Sequence, residues 1–574
     1  MPDAVNHHLA DHEEPIDLLR YIRESVIGRN QLVDGPFGQK PVIYADYTAS
    51  GRSLSFVEQY ISEIVLPLYA NTHTESSGTG LQTTRFREEA RAIIRQCVGA
   101  DDSHVVLFGG NGATYAISKL IRILGLAIPS EAEDRWHLSS HIPAEERPVV
   151  FIGPYEHHSN EIPWREGLVD VITIDEDFDG HIDLDQLESQ LEAHADRPLL
   201  IGSFSAASNV TGILSNTKAV SSLLHRHGAL SFWDYAAAAP YVHIEMGSAD
   251  NQDGAYIDAV FISPHKFIGG PGTPGVLVAR RELFANRVPD IPGGGTVRYV
   301  NPTDHAYLDD IEHREEGGTP AIVESIRAGL VFQLKERIGV DQIQSNEHDF
   351  IRRAITSWEA NPRIHILGNA DAERLSIVSF TIGDADQHLH HNFVVAVLSD
   401  LFGIQSRGGC SCAGPYGHRL LGINLDRSHE FECEITKGHE GIKPGWVRVS
   451  FNYFIDDPTF NYILSAVHLV ADHGARLLPY YRFEPESGLW RHRDPVGTPP
   501  MSLDSISYDS GRMEYPQRPG HESGGNTTLE VDLGGYLAAG HEILLGQHPD
   551  PLDPPTTTDD FEKLRWFLYP ADLS

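Results

Sequence analysis

From residue 104 onward the chain alternates short, continuously apolar runs with longer runs in which apolar residues recur every third or fourth position. HVVLFGG (104–110), PVVFIG (148–153), VDVITID (169–175), PLLIGSFS (198–205), ALSFWDY (229–235) and DAVFIS (258–263) read as strands. Runs this short, apolar throughout and bounded by turn residues, suit strands covered on both faces. Between them, NGAT leads into a helix with Ile117, Leu120, Ile121 and Leu124 on one face, and TKAVSSLLHRHG forms another after the strand at 198–205. The pattern predicts an α/β fold: a large domain over 41–320 with a mostly parallel sheet covered by helices. A linking helix from about 320 to 338 then opens a smaller α/β C-terminal domain within 321–479, whose strands include LSIVSFTI (375–382) and WVRVSFNYF (446–454).

The flanks are less regular. Residues 1–40 form a lead-in with a helical stretch from Ile16 to Ile27, and PVIYADYTASG (41–51) is a short strand entering a small-residue turn. Helices are expected at Phe56–Leu66 and 83–98, around a polar loop at 71–80. Residues 480–574 cluster Pro, Gly, Asp and Ser between 484 and 527, and only 535–546 and 561–569 look helical. That composition predicts an extension packed on the body rather than a third catalytic domain.

Charge narrows the partners. The 574 residues carry 44 basic and 81 acidic side chains, a net charge of −37 with both signs scattered. Such a surface repels phosphate backbones and anionic lipids, so neither nucleic acid nor membrane is an expected partner. No apolar run approaches the ~18 residues of a membrane span. The first fifteen residues are acidic and polar, unlike a signal peptide, and four cysteines make no disulfide framework. Both features suit a reducing cytoplasm.

The candidate chemistry gathers at strand ends. Lys266 follows the apolar run Val260–Ile262 within DAVFISPHKFIGGPGTPGVLVAR, flanked by Ser263, His265 and several glycines. Most lysines are solvated, but a desolvated lysine with a lowered pKa is what Schiff-base chemistry needs. Asp234 ends an apolar strand, where a carboxylate wants a cationic partner such as a protonated pyridine, or else caps the alanine-rich segment behind it. His157, in GPYEHHSNEIPW, fits stacking or acid–base work against a flat ring, with core packing or a metal pair as the alternatives; adjacent side chains do not share a helix face. Gly112, Ala113 and Thr114 open a helix, either as an anion site or as an ordinary turn. Asn209 in SNVTG lies at another strand-end turn.

Together these residues resemble the class V aminotransferase family of pyridoxal-phosphate enzymes over roughly residues 40–470, most closely its cysteine desulfurase and selenocysteine lyase branch. The resemblance rests on Ser263-Pro-His-Lys266, Glu156-His157-His158 and Ser208-Asn209-Val210-x-Gly212, in the family's order. It implies a fold-type I transferase with pyridoxal 5'-phosphate as cofactor, held through a Schiff base on Lys266. His157 would stack on the ring, Asp234 would pair with its nitrogen, and Asn209 would lie near its hydroxyl. Gly112, Ala113, Thr114, Ser263 and His265 would hold the phosphate. Gly293–Gly295 and the turn Gly318-Thr319-Pro320 look like segments a second subunit contributes, so Gly294, Gly295 and Thr319 belong to the cofactor set and a homodimer is implied. Arg448 would clamp the substrate carboxylate, for which a bidentate guanidinium is suited. Arg407, Asn209, Ala49 and His73 complete the substrate side.

The stretch QSRGGCSCAGPYGH (405–418) points to the reaction. Arg407-x-Gly409-x-x-Cys412-Ala413 matches the branch's nucleophile loop and implies that Cys412 attacks sulfur, holding a persulfide while L-cysteine is released as alanine. A protein sulfur acceptor would then follow. The cysteines could instead be buried, or half of a metal site, though no second cysteine pair completes one. Cys410 could relay or protect the persulfide. Ala237 stands where the branch has glutamine, Pro264 where glycine is common, and Cys410-Ser411 where histidines precede the nucleophile. Another class V reaction (C–S lysis, epimerisation or transamination) and a non-catalytic cofactor-binding scaffold are the alternatives.

Overall fold

The computed structural model describes residues 17–29, 31–72, 74–248, 253–384, 387–494, 501–516 and 531–573. Its centre is a seven-stranded sheet. In chain order the strands are β1 (His104–Gly109), β2 (Val149–Ile152), β3 (Asp170–Thr173), β4 (Leu200–Ser205), β5 (Leu230–Asp234), β6 (Ala259–Ile262) and β7 (Gly275–Arg280). Their spatial order is β1-β7-β6-β5-β4-β2-β3, parallel except for β7, which runs against both neighbours. Alternate side chains serve opposite faces: Val106 and Phe108 enter one core, Val105 and Leu107 the other. Burial on both faces explains why the strands read as unbroken apolar runs.

Helices cover both faces. Helix α1 (Gly78–Cys97) packs on α4 (Ile322–Ile338), and α2 (Gly112–Ile123) lies against β6 and β7. Helix α3 (His158–Arg165) packs beside α2. Glu316, buried with Arg87 and Arg91, accepts the Phe108 N–H at 2.6 Å and so ties the segment before Gly317 to β1.

A second sheet is antiparallel, in the order β8 (Ile364–Ile366), β9 (Ile377–Asp384), β11 (Trp446–Ser450), β10 (Arg407–Gly409). Helices α5 (Val340–Glu359), α6 (His391–Phe402) and α7 (Asp457–His473) enclose its separate core. Ile43–Tyr44 pairs in parallel with Ile404–Gln405, bringing the N-terminal segment to this sheet. Two side-chain placements follow: β10 sets Arg407 directly opposite Arg448, and Asp46 arrives beside both.

The described residues after 480 pack on this second core. Tyr481–Glu484 and Leu489–His492 form a hairpin, α8 (Leu533–Leu545) lies on α7, and Phe561, Leu564, Phe567 and Tyr569 are buried. The helix expected over 561–569 is a correction: it spans Asp559–Leu564 only. Beyond it, Phe567 and Tyr569 alternate toward Phe483, and the Leu568 N–H bonds the His388 carbonyl at 3.0 Å. Apolar residues two apart serve an extended segment; the same run is also compatible with a helix. The helix expected over Phe56–Leu66 likewise changes form, passing from α (Ser55–Tyr60) to a π turn (Ile61–Val65) and a 3-10 turn holding Pro67. The helix expected over 83–98 begins earlier, at Gly78, because Ser77 caps it by accepting the Gly80 N–H at 3.2 Å.

Candidate active site

The parallel strands end at one cleft of about 240 Å3, lined from both sheets. Ligands in such sheets bind beyond the carboxyl ends of the strands. Lys266, Asp234, His157, Asn209, Ala113, Thr114, Ser263, His265, Ala49, Arg407, Arg448 and Cys412 all line it. Gly112 lies just behind the wall. Its φ is +58°, and an added Cβ would sit 2.6 Å from Ser263 Oγ. That space lets Ser263 Oγ accept the Ala113 N–H at 2.9 Å at the start of α2.

Three expected residues stand elsewhere. Gly294, Gly295 and Thr319 do not line the cleft of this chain; Gly318 N–H bonds the Gly294 carbonyl at 2.8 Å, and exposed Thr319 accepts from Asn71 at 3.4 Å. His73 lies outside the described residues.

Lys266 closes a 3-10 turn, Pro264–Lys266, directly after β6. Loss of hydration pushes its pKa down to about 8; Asp234 opposes the change, while Arg448 and Arg407 reinforce it. Asp234 ends β5, and burial pushes its pKa above the usual carboxylate value, against the Ala236 N–H at 2.7 Å and the charge of Lys266. The alanine-rich segment after Asp234 forms turns, so this carboxylate caps no helix. His157 caps α3, its Nδ1 accepting the Ser159 N–H at 3.1 Å. Burial first, then Lys266, lowers its pKa to about 4, so the ring is neutral near pH 7 with its proton on Nε2.

Glu156 has a different job from its histidine neighbours. One carboxylate oxygen accepts the Gly153 and Ser205 N–H groups at 3.2 and 2.9 Å; the other accepts from Asn160 Nδ2 and Ser205 Oγ, both at 2.7 Å. Burial raises its pKa to about 7 against those donors. It staples the ends of β2 and β4 behind the cleft. Glu156→Gln would turn one acceptor into a donor facing donors, and is expected to cost about 2 kcal/mol of stability. Denaturant titration of both proteins checks this; an unchanged midpoint would contradict the stapling role.

On the opposite wall, Asp46 bridges Arg448 Nη2 at 2.9 Å and Arg407 Nε at 3.0 Å. Arg448 Nη1 also donates to the Asn209 carbonyl at 2.9 Å. Thus a chain of charge −37 concentrates Lys266, Arg407 and Arg448 at one cleft against Asp234 and Asp46. A local cationic excess in a concave site favours anionic ligands.

Cys412 and Cys410 face different spaces. Exposed Cys412 lines the cleft, whereas Cys410 lines a neighbouring cavity with His418 and Trp446. Thr48 Oγ1, Asn209 Oδ1, Ser411 Oγ and Arg448 Nε are buried with no hydrogen-bond partner among the described residues, and all four residues line the cleft. Buried polar atoms are normally paired, so these four fit a polar ligand. With the glycine-permitted turn at Gly112, the cationic excess and the buried amine of Lys266, the residues fit a phosphorylated aldehyde cofactor. Among the described residues, no group of three or more His, Cys, Asp or Glu is set to hold a metal ion.

Sequence reasoning passed over Asp46, Thr48 and Ser411. Asp46 and Thr48 follow the strand Ile43–Tyr44, whose partner is about 360 residues away in the chain. Only the polar letters in YADYTASG, at the end of a short strand, could have marked them.

Comparison with known proteins agrees with this architecture. A probable cysteine desulfurase of Halalkalibacterium halodurans is 26% identical over 388 residues, 67% of this chain and 87% of that protein. One from Streptomyces coelicolor is 27% identical over 387 residues, 65% of this chain and 84% of that protein. Among solved structures, a cysteine desulfurase from Thermococcus onnurineus superposes with a TM-score of 0.62 at 24% identity, covering 79% of this chain and 97% of that one. One from Escherichia coli gives 0.58 at 20% identity, covering 76% and 95%. These structural likenesses speak to the fold, which is of the fold-type I kind. Residues 43–456 match the model of the class V aminotransferases, well over half of the chain, and the chain therefore belongs to the class V aminotransferase family of pyridoxal-phosphate-dependent enzymes.

Proposed function

We propose that this enzyme is a cysteine desulfurase that converts L-cysteine to alanine and keeps the sulfur as a persulfide on Cys412. The observation that carries this reading is that Lys266 and Cys412, far apart in sequence, line one cleft with Asp234, His157 and Arg448. Lys266 would hold pyridoxal 5'-phosphate covalently, Asp234 would face its ring nitrogen and His157 its ring. The phosphate would sit against Ala113, Thr114, Ser263 and His265. When bound, the cofactor supplies an electron sink for the substrate's α-carbon.

The remaining work falls to the chain. Arg448 would bind the substrate carboxylate, its bonds to Asp46 and the Asn209 carbonyl holding the guanidinium in place while its Nε has no partner of its own. Lys266 would move the α-proton, a task that suits an amine whose pKa lies near 8. The Cys412 thiolate would take the substrate's sulfur. The carbon–sulfur bond of L-cysteine breaks, a sulfur–sulfur bond forms on Cys412, and the substrate carbon gains a proton to give alanine. Exposure of Cys412 suits later transfer to an acceptor, including a protein. The exposed Gly294 and Thr319 suit a role in a second copy's cleft, as in a homodimer.

The test is the product set. Purified holoenzyme with L-cysteine is expected to give alanine and, with a thiol reductant, an equal amount of sulfide. Pyruvate and ammonia would indicate a C–S lyase instead, a reading that Ala237 on the cleft wall favours. Turnover of no amino acid would leave the scaffold reading.

The lowered pKa gives a second expectation. Cofactor capture by the apoprotein needs a neutral Lys266 amine, whose fraction rises with pH through about 8. The initial rate of the absorbance change should rise about tenfold from about pH 7 to pH 9 and then level off. An ordinary lysine, titrating near ~10.4, would still be climbing steeply there.

A further inference from the structure

Cys412 sits in an unusual turn. The Ala413 N–H bonds the Cys410 carbonyl at 3.1 Å, and between them Ser411 and Cys412 have φ of 51° and 57°. Among the described residues, His137 is the only other non-glycine residue with positive φ. Consecutive side-chain-bearing residues in the left-handed region persist only where the surroundings over-determine them.

Two residues supply that restraint. Asn209 Nδ2 donates to the Ser411 carbonyl at 2.7 Å. His158 grips the other side twice: its backbone N–H donates to the Cys412 carbonyl at 2.9 Å, and its ring Nε2 accepts the Gly414 N–H at 3.0 Å. The ring lies directly against the main chain, since a Cβ on Gly414 would stand 3.3 Å from Nε2. One side chain thus fixes the backbone two residues beyond the thiol while the same residue's amide fixes the thiol's own carbonyl.

The neighbouring histidine faces elsewhere. His157 lines the cleft and caps α3, while His158 turns to the cysteine turn, their rings 6.3 Å apart and tilted by 49°. Glu156 staples the sheet behind them. The three successive residues therefore connect the sheet, the cleft wall and the cysteine turn.

We infer that His158 is the positioning residue for Cys412: its ring, as acceptor for Gly414, holds the left-handed turn that keeps the thiol at the cleft wall. Only an unprotonated Nε2 can accept that bond. The activity consequence rests on the desulfurase reading; the geometric claim does not.

The test compares holoenzyme with His158→Ala and with His158→Gln, whose side-chain carbonyl can still accept the Gly414 N–H. The first readout is the rate of iodoacetamide alkylation at Cys412, resolved by peptide mass spectrometry. His158→Ala is expected to raise it at least about threefold as the turn loosens, and His158→Gln to return it to within about twofold of wild type. The second readout is alanine release from L-cysteine. It should fall by about 100-fold in His158→Ala and recover to within about fivefold in His158→Gln, because small displacements of a reacting group cost rates of this order. Exchange of the α-proton of L-alanine with deuterated solvent, which needs no cysteine, should be unchanged. Equal Cys412 alkylation in wild type and His158→Ala would overturn the inference, as would a His158→Gln variant no better than His158→Ala. So would a parallel loss of α-proton exchange, which would mark His158 as a general support of the fold. If wild type releases no alanine while the alkylation pattern holds, the desulfurase reading fails and the positioning role stands.

Discussion

Cys412→Ser is expected to lower alanine release from L-cysteine at least about 1,000-fold while leaving the cofactor absorbance intact. Serine keeps the size and the turn, but a hydroxyl at neutral pH is not ionised as a thiolate is and does not take sulfur. The turn's restraints act on backbone groups of Ser411, Cys412 and Gly414, so the substitution leaves all of them in place. Exchange of the substrate α-proton should continue, since Lys266 and Arg448 are untouched. Cys410→Ser should change alanine release by less than about threefold, because Cys410 lines the neighbouring cavity instead of the cleft.

Lys266→Ala is expected to abolish the long-wavelength absorbance of the covalently held cofactor and to reduce every amino-acid reaction at least about 1,000-fold. The lysine is the cationic neighbour that opposes the raised pKa of Asp234, and it helps depress His157. Its removal leaves Asp234 facing a less positive cleft, which favours its neutral form further. Noncovalent cofactor binding through Ala113, Ser263 and His265 would persist more weakly, so equilibrium dialysis separates a lost bond from a lost site. Retention of the absorbance in Lys266→Ala would place the covalent link elsewhere.

Much of the fold was legible because the central strands are buried on both faces, which leaves an unmistakable run of apolar residues at each one. The polar residues that end those runs, Asp234 and Lys266, stood out against that background. Cys412 came into view only through the resemblance of its loop to the desulfurase branch, and the fold sets it on the wall of the same cleft. What remained hidden depends on pairings distant in the chain. Asp46 reaches Arg448 only because Ile43–Tyr44 pairs with Ile404–Gln405. His157 lines the cleft whereas His158 bonds the cysteine turn through its amide and its ring, a contact between segments about 250 residues apart. The segment after Leu564 misled for another reason: its aromatic residues are periodic enough for either structure, and Phe483, Trp490 and His388 decide in favour of an extended one.

The most direct measurement is to locate the sulfur. Holoenzyme is mixed with L-cysteine in the absence of reductant, alanine is quantified, and the cysteine-containing peptides are mapped by mass spectrometry. The account predicts alanine in a one-to-one ratio with a single added sulfur atom on Cys412. Alanine formed with the added sulfur only on Cys97, Cys410 or Cys433, or with no protein-bound sulfur at all, would contradict it.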